Sequence, residues 1–278
     1  MMNEQLTQLR VLGPFDLNRQ PAGPAAGLRE HTVCLNLRRK TRALLAYLAE
    51  AQVPVRRESL AALFFPDTDD PLGALRWHLS AIRRHVDPTL LCTDRETVQL
   101  DRAKCWVDTE AFERMLDIGV ALSTEQITAA IALYRGEYLA GMSLSDAPEF
   151  EMWALGRRAH YQQRYEQALV DLVERLIQAA RYAEVLPWAQ RLIQSNPLAE
   201  AAHLQLMRAY ALNGQRHAAL AHYQQYRRLL KVELQSEPDS MAFALHASGS
   251  GGGLRNLRGC SRACRRRAHG FSHNVTRA

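Results

Sequence analysis

The chain has 278 residues, of which 47% are hydrophobic and 23% are charged, a composition typical of water-soluble proteins and a length sufficient for two domains. No run of about eighteen apolar residues is present, and no basic segment precedes an apolar one at the N-terminus, which argues against a membrane helix and a signal peptide and favours a cytoplasmic protein. The net charge of +6 comes mainly from seven arginines in residues 248–278, so charge alone does not indicate a nucleic-acid partner.

The sequence contains none of the common enzyme motifs, neither a phosphate-binding GxxxxGK[ST] loop nor an HExxH, GxSxG or GxGxxG run. Five cysteines are scattered, and only Cys260 and Cys264 lie close together, without a second pair to complete a zinc site. Asp67, Asp69 and Asp70 are better explained as the stop of one helix and the cap of the next than as metal ligands. We therefore expect no enzyme, no cofactor and no bound metal.

The first region begins with strands and continues with helices. Residues 9–17 predict a strand that ends in a Gly-Pro turn, and residues 32–37 alternate as a half-buried strand does. Three helices are then predicted at residues 40–50, 57–65 and 71–86, the third with Asp70 as its N-cap and Pro71 at its first position.

A hairpin is predicted after the third helix. The runs LLCTD and TVQLD form its two strands, and Trp106 with Val107 is expected to add a third short one. Strands, three helices and a hairpin in this order are the plan of a winged helix-turn-helix domain.

The third helix has the pattern of a DNA-recognition helix. Its apolar positions share one face when successive residues advance by 100°, and they are Leu75, Leu79, Ile82 and Val86. The remaining surface carries the candidate DNA contacts, which are Arg76, Trp77, Ser80, Arg83 and Arg84, and the helix holds two histidines besides. Arginine pairs with guanine or phosphate, and a tryptophan ring packs on a sugar or a thymine methyl, so this surface suits the major groove. A solvated surface helix has a similar pattern, and the residues alone leave that alternative open.

Further cations are placed to contact the DNA backbone. They are Arg38, Arg39, Lys40 and Arg42 around the start of the first helix, Arg56 and Arg57 at the start of the second, and Arg95 at the hairpin tip. In a winged helix the hairpin tip lies near the minor groove, and helix starts lie near phosphates. A solvated helix start remains the alternative for the first group.

Residues 75–84, LRWHLSAIRR, resemble the recognition helix of the bacterial transcriptional activators known as antibiotic regulatory proteins. The runs LLAYLA, RESLAALF and the PD stop are similar to the same family in the same order. The resemblance implies a winged helix of the response-regulator type. It also implies that Arg76, Ser80, Arg83 and Arg84 lie where that family meets DNA.

The second region, residues 109–247, is helical throughout. LYRGEYLAGMS at residues 133–143 resembles the start of the bacterial transcriptional activator domain. Residues 180–197 are similar to residues 214–230 at an offset of 35, which is near the tetratricopeptide period of 34. Pro187 is expected to kink or split its helix. Stacked helical repeats present surfaces for peptides, partner domains or a second copy of the chain.

The last region, residues 248–278, begins SGSGGG and is rich in arginine, which predicts a disordered basic tail. Two explanations stay open for it. It adds non-specific attraction to phosphates through Arg265, Arg266 and Arg267, or it is the remnant of a truncation or frame shift.

These patterns predict a mainly α protein with a small β component. It has a winged helix at residues 1–108, a tetratricopeptide-like domain at residues 109–247 and the tail. The predicted function is a sequence-specific transcriptional regulator, an activator, that binds double-stranded promoter DNA. The family resemblance adds RNA polymerase and a homodimer as partners. The alternative is a tetratricopeptide-type interaction scaffold without specific DNA binding.

Overall fold

The structure, a computed structural model, describes residues 6–20, 37–117 and 122–236. Within these ranges the chain is mainly helical with two small sheets, which confirms the predicted fold class. Of the strand predicted at residues 32–37, only the last residue belongs to the described ranges. The predicted tail lies outside them. The chain divides into two compact units, Met1–Ala168 and Leu169–Ala278.

The described strands and helices, in chain order, are β1 (Leu6–Arg10), β2 (Asp16–Gln20), α1 (Arg39–Glu50), β3 (Val55–Arg56), α2 (Arg57–Phe64), α3 (Pro71–His85), β4 (Leu91–Thr93), β5 (Thr97–Leu100), β6 (Cys105–Val107), α4 (Asp108–Leu116), α5 (Thr124–Leu133), α6 (Pro148–Gln178), α7 (Tyr182–Ser195), α8 (Glu200–Leu212) and α9 (Arg216–Glu233). No helix in the described part of the chain is both long enough and apolar enough to cross a bilayer.

The first sheet has the strand order β2-β1-β6. Strands β1 and β2 form an antiparallel hairpin in which Leu9 faces Leu17. Trp106 and Val107 do form a strand, but β6 pairs in parallel with β1 and not with the hairpin after α3, so that part of the prediction is wrong. Pairing with β1 buries Cys105 and Val107 and brings the following Asp108 against the end of β1.

The second sheet is the wing, with the strand order β3-β5-β4. The hairpin of β4 and β5 is the one predicted from LLCTD and TVQLD, and it places Thr93 opposite Val98. Its third strand is β3, in which Val55 pairs with Val98 and Arg56 with Thr97. Two residues are too few to show an alternating pattern, so the sequence gives no signal for β3.

Helices α1, α2 and α3 surround one apolar core. The side chains that they bury completely or nearly so include Leu44, Leu48, Leu60, Phe64, Leu75, Leu79 and Ile82. Burying such a side chain contributes roughly 1.5–3 kcal/mol, so this core fixes the position of α3. The predicted apolar stripe of the third helix is therefore confirmed as its buried side.

The first compact unit extends beyond the winged helix. It includes α4, α5 and the first part of α6, and aromatic side chains of α6 pack on the rear of the helical core. Ring centroids lie 4.7 Å apart for Tyr47 and Trp153, and 5.0 Å apart for Phe64 and Phe150. Tyr161 adds a hydrogen bond of 2.7 Å from its hydroxyl to the buried carboxylate of Glu50. The compact units thus divide at a different place from the domains predicted at residue 108.

Asp108 lies at the start of α4 and is 1% exposed. Its carboxylate accepts hydrogen bonds of 2.9 Å from the backbone N–H groups of Val11 and Leu12, directly after β1. Burial raises the pKa of Asp108 to about 6, although those backbone bonds and the charge of Arg135 favour the ionised form. This carboxylate fastens the first sheet to α4.

In the second unit, α7, α8 and α9 follow one another as helices joined by short turns. Buried side chains along them include Val185, Ala189, Leu192, Leu206, Tyr223, Tyr226 and Leu230. Helix α7 runs without interruption through Pro187, so the expected split is wrong. Pro187 lies in the second turn of α7, where a missing N–H removes a single backbone bond near the helix start.

Candidate nucleic-acid interface

Helix α3 begins at a well-formed cap. Asp70 is the N-cap residue, and its Oδ1 accepts a hydrogen bond of 2.7 Å from the backbone N–H of Gly73. Pro71 occupies the first helical position, where no N–H is needed. Three basic residues, Arg83, Arg84 and His85, occupy the last turn, where positive charge is favourable. The predicted start of the helix is confirmed, and its end lies one residue earlier than predicted.

The outward face of α3 carries three of the predicted contact residues. Arg76, Ser80 and Arg84 are all exposed and follow one another at intervals of four residues, so their side chains form a row along the helix. The buried residues Leu75 and Ile82 lie on the other side. No acidic residue lies within α3, so this row is available to a polyanion.

Trp77 lies beside this row and is 49% exposed. The guanidinium of Arg38, just before α1, lies 4.5 Å from the centre of the Trp77 ring, in a cation–π contact. The ring of His78 meets it edge-on at 4.9 Å. Arg38 and Trp77 therefore form one amphipathic surface on the α1 side of the recognition helix.

His78 faces inward, unlike the other polar residues of α3. Its Nδ1 lies 2.7 Å from the hydroxyl of the buried Thr41, and its ring stacks on Phe65 at 5.0 Å. Burial, followed by the charges of Lys40 and Arg38, lowers the pKa of His78 to about 4, so the ring is neutral at pH 7. His78 thus adds no charge to the outward side of α3, and of the two histidines in α3 only His85 is exposed.

Arg83 connects α3 to the wing. It is half-buried, and its Nη2 donates a hydrogen bond to the hydroxyl of Thr93 on β4. Arg83 therefore has an intramolecular partner on the side of the helix that faces the hairpin, whereas Arg84 projects outward.

A cleft of about 440 Å³ lies where the starts of α2 and α3 meet the tip of the wing. It brings together Arg57, Arg76 and Arg95, which belong to three different elements, and Arg56 joins them. Glu58 and Glu96 are the acidic residues of its lining, and the remaining lining residues are leucines. Four guanidinium groups around one cleft favour an anionic partner.

The wing turn is held in one conformation by Asp94. Its carboxylate accepts hydrogen bonds from the backbone N–H groups of Glu96 at 2.8 Å and Thr97 at 2.6 Å. The bonds from Thr97 and Glu96 lower the pKa of Asp94 below its ordinary value. Arg57 donates from Nε to the backbone carbonyl of Asp94 at 3.1 Å, and Arg95 is exposed at the tip.

The basic residues at the start of α1 separate into different environments. Arg39 donates a long hydrogen bond of 3.4 Å to the carbonyl of Ser143, and with Arg42 it lines a second groove of about 390 Å³ beside Phe15. Lys40 donates a hydrogen bond to the carbonyl of Phe64 at 2.7 Å and forms an ion pair with Asp146, in the segment before α6. Lys40 therefore holds elements of the protein together and is not free for phosphate, contrary to expectation.

The residue that sequence reasoning missed at this site is Gly73. A Cβ atom at this position would lie 2.0 Å from Oδ2 of Asp70. The signal was a glycine in the first turn of an otherwise regular helix, where alanine is more favourable. The second role of Asp70, an ion pair of 3.5 Å with Arg76, spans six residues and is not a spacing that a helical pattern reveals.

A winged helix whose third helix carries exposed arginines, followed by a helical domain, is an arrangement common among transcription regulators. Residues 107–248 match the family model of the bacterial transcriptional activator domain. Because the match covers over half of the chain, the protein belongs to this family. The family predicted from the sequence is thereby confirmed.

The fold is similar to that of Mycobacterium tuberculosis EmbR, solved in complex with a low-affinity phosphopeptide, with a TM-score of 0.62 and 19% sequence identity. The likeness covers 90% of this chain and 65% of the EmbR chain, so this chain spans slightly less than two thirds of the other's length. It supports the winged helix and the helical domain behind it. No curated protein matches the sequence.

Proposed function

We propose that this protein activates transcription by binding a specific sequence of double-stranded promoter DNA, with α3 in the major groove. The observation that carries the proposal is the exposed row of Arg76, Ser80 and Arg84 on a helix whose opposite side is locked into the core. Eight residues of α-helix extend about 12 Å, the length of three to four stacked base pairs. A row of this length suits the reading of a short base sequence.

The residues around α3 are proposed to hold the DNA backbone. Arg57 and Arg95 line the cleft between α2, α3 and the wing, and their guanidinium groups are proposed to contact the phosphates of one strand beside the groove. Arg38 lies over Trp77 on the other side, so that pair contacts sugar, phosphate or a thymine methyl. Arg83, beside the wing, and Arg39, at the start of α1, are the other residues proposed to contact the DNA backbone.

The proposal is tested by gel retardation of promoter fragments with the full chain. Replacing Arg76 and Arg84 together by alanine is expected to abolish specific binding, because each arginine is proposed to contact a base and the loss of one such contact costs about 1–3 kcal/mol. The matched control replaces Arg114 and Arg228, two exposed arginines of α4 and α9. Wild-type affinity in the Arg76/Arg84 variant would contradict the proposal.

The repeats are proposed to make the protein contacts of activation. Helices α7 and α9 carry the sequence that repeats at an offset of 35, and stacked repeats of this kind commonly bind partners. The partners proposed are a second copy of the chain and RNA polymerase. If the wild-type chain retards no DNA but captures a protein through these helices, the interaction-scaffold alternative is the correct one.

A further inference from the structure

Asp70 contacts both the backbone of the recognition helix and its first arginine. Oδ1 accepts the N–H of Gly73 at 2.7 Å, as an N-cap does. Oδ2 of the same carboxylate lies 3.5 Å from Nη2 of Arg76. One side chain thus joins the cap of α3 to the residue at the start of the proposed base-reading row.

Gly73 makes room for this arrangement. A Cβ atom there would lie 2.0 Å from Oδ2 and 2.6 Å from Cγ of Asp70, so any other residue would push the carboxylate away from its present position. Glycine is unfavourable within a helix because it loses more conformational freedom than alanine does. A residue other than glycine at position 73 would therefore change the distance between the Asp70 carboxylate and Arg76.

The contact between Asp70 and Arg76 is placed to affect orientation more than stability. Both side chains are 68% exposed, and ion pairs at such exposure contribute little to folding. A guanidinium has five N–H donors in a fixed plane, so a contact from one of them to a carboxylate restricts the directions in which the others point. Bidentate pairing with guanine O6 and N7 requires two donors presented in such a plane.

We infer that Asp70 is a positioning residue that orients Arg76 to read a guanine. The inference rests on the proposed DNA binding and names the base that one residue of the row selects. It requires that Asp70 increase base selectivity while its negative charge, close to the phosphates, decreases overall affinity for DNA. If Asp70 only capped the helix, replacing it would not lower base selectivity and raise overall affinity at the same time.

The test uses the full chain and a pool of duplexes with twenty randomised base pairs, from which bound sequences are recovered and counted. Asp70→Ser keeps a good N-cap but has no group that reaches Arg76. The expected result is a guanine preference at one position in the wild type that falls about tenfold in this variant, with equal or higher affinity for unselected DNA. Asp69→Ser, which removes the same charge from the same loop, is expected to keep the preference.

Gly73→Ala provides a second variant that favours folding, since alanine is the better helix residue. It is expected to lower the same guanine preference by displacing the carboxylate, with little net change in thermal stability because the gain from alanine offsets a weaker N-cap. Unchanged selectivity in Asp70→Ser and Gly73→Ala would overturn the inference while leaving the proposed function intact. A wild-type chain that selects no sequence from the pool would contradict the proposed function itself.

Discussion

The buried carboxylate of Asp108 should have a large effect on the stability of the first unit. Replacing it by alanine leaves the backbone N–H groups of Val11 and Leu12 without the partner that they have at 2.9 Å. An unsatisfied buried donor costs about 1–3 kcal/mol, and part of that cost is offset because a carboxylate no longer has to be buried. We expect Asp108→Ala to lower the free energy of unfolding by about 2–4 kcal/mol.

The same carboxylate should make stability depend on pH. Because its pKa is raised from 3.8 in the unfolded chain to about 6 in the folded one, the folded chain binds the proton more tightly between these values. Ionisation of Asp108 therefore lowers stability as the pH rises through this window, by about 3 kcal/mol in total at about 1.4 kcal/mol per pKa unit. Asp108→Asn has no carboxylate at this position, so its stability lacks this part of the pH dependence. Other titrating groups contribute equally to both proteins.

Urea unfolding followed by tryptophan fluorescence measures both effects, since three of the four tryptophans, Trp77, Trp106 and Trp153, lie in the first unit. The free energy of unfolding is compared between wild type and Asp108→Asn at pH 4.5 and pH 7.5. The wild type should lose about 2 kcal/mol more than the variant between the two values. Equal pH dependence in both proteins would refute the reasoning about burial.

Three further substitutions test contacts that support α3 and the rear of the core. Thr41→Val removes the hydroxyl that lies 2.7 Å from Nδ1 of His78 and should cost about 1–3 kcal/mol in urea unfolding at pH 7, whereas a change below 0.5 kcal/mol would mean that the bond contributes nothing. Tyr161→Phe removes the hydroxyl donor to the buried Glu50 and should lower stability by a similar amount, which a thermal melt would detect as a lower Tm. Leu79→Ala should cost about 2–5 kcal/mol because Leu79 is 2% exposed, and an unchanged unfolding midpoint would show that the apolar side of α3 does not hold it in place.

The sequence predicted the elements of the winged helix because each had a local signal. The cap at Asp70, the apolar stripe from Leu75 to Val86 and the alternating strands of the wing all depend on neighbours within one element. For the same reason the helical period placed Arg76, Ser80 and Arg84 on the exposed side, and the structure has them there.

What the sequence did not predict depends on contacts between distant residues. His78 lies at the border between the two sides of α3, and only Thr41 and Phe65 on neighbouring elements draw its ring inward. The partner of β6 was missed because strand pairing in parallel joins segments almost one hundred residues apart. The sequence gives no signal for the ion pair of Lys40, because its partner, Asp146, is remote in the sequence.

The cover that α6 provides for the rear of the helical core has a consequence for protein engineering. A chimera joined at residue 108 would separate the winged helix from α6 and leave Tyr47, Phe64 and Glu50 without Trp153, Phe150 and Tyr161. The aromatic rings exposed in this way would favour aggregation of the graft. Transplanting the winged helix intact therefore means carrying the chain through Ala168, so that the part of α6 that covers its core is included.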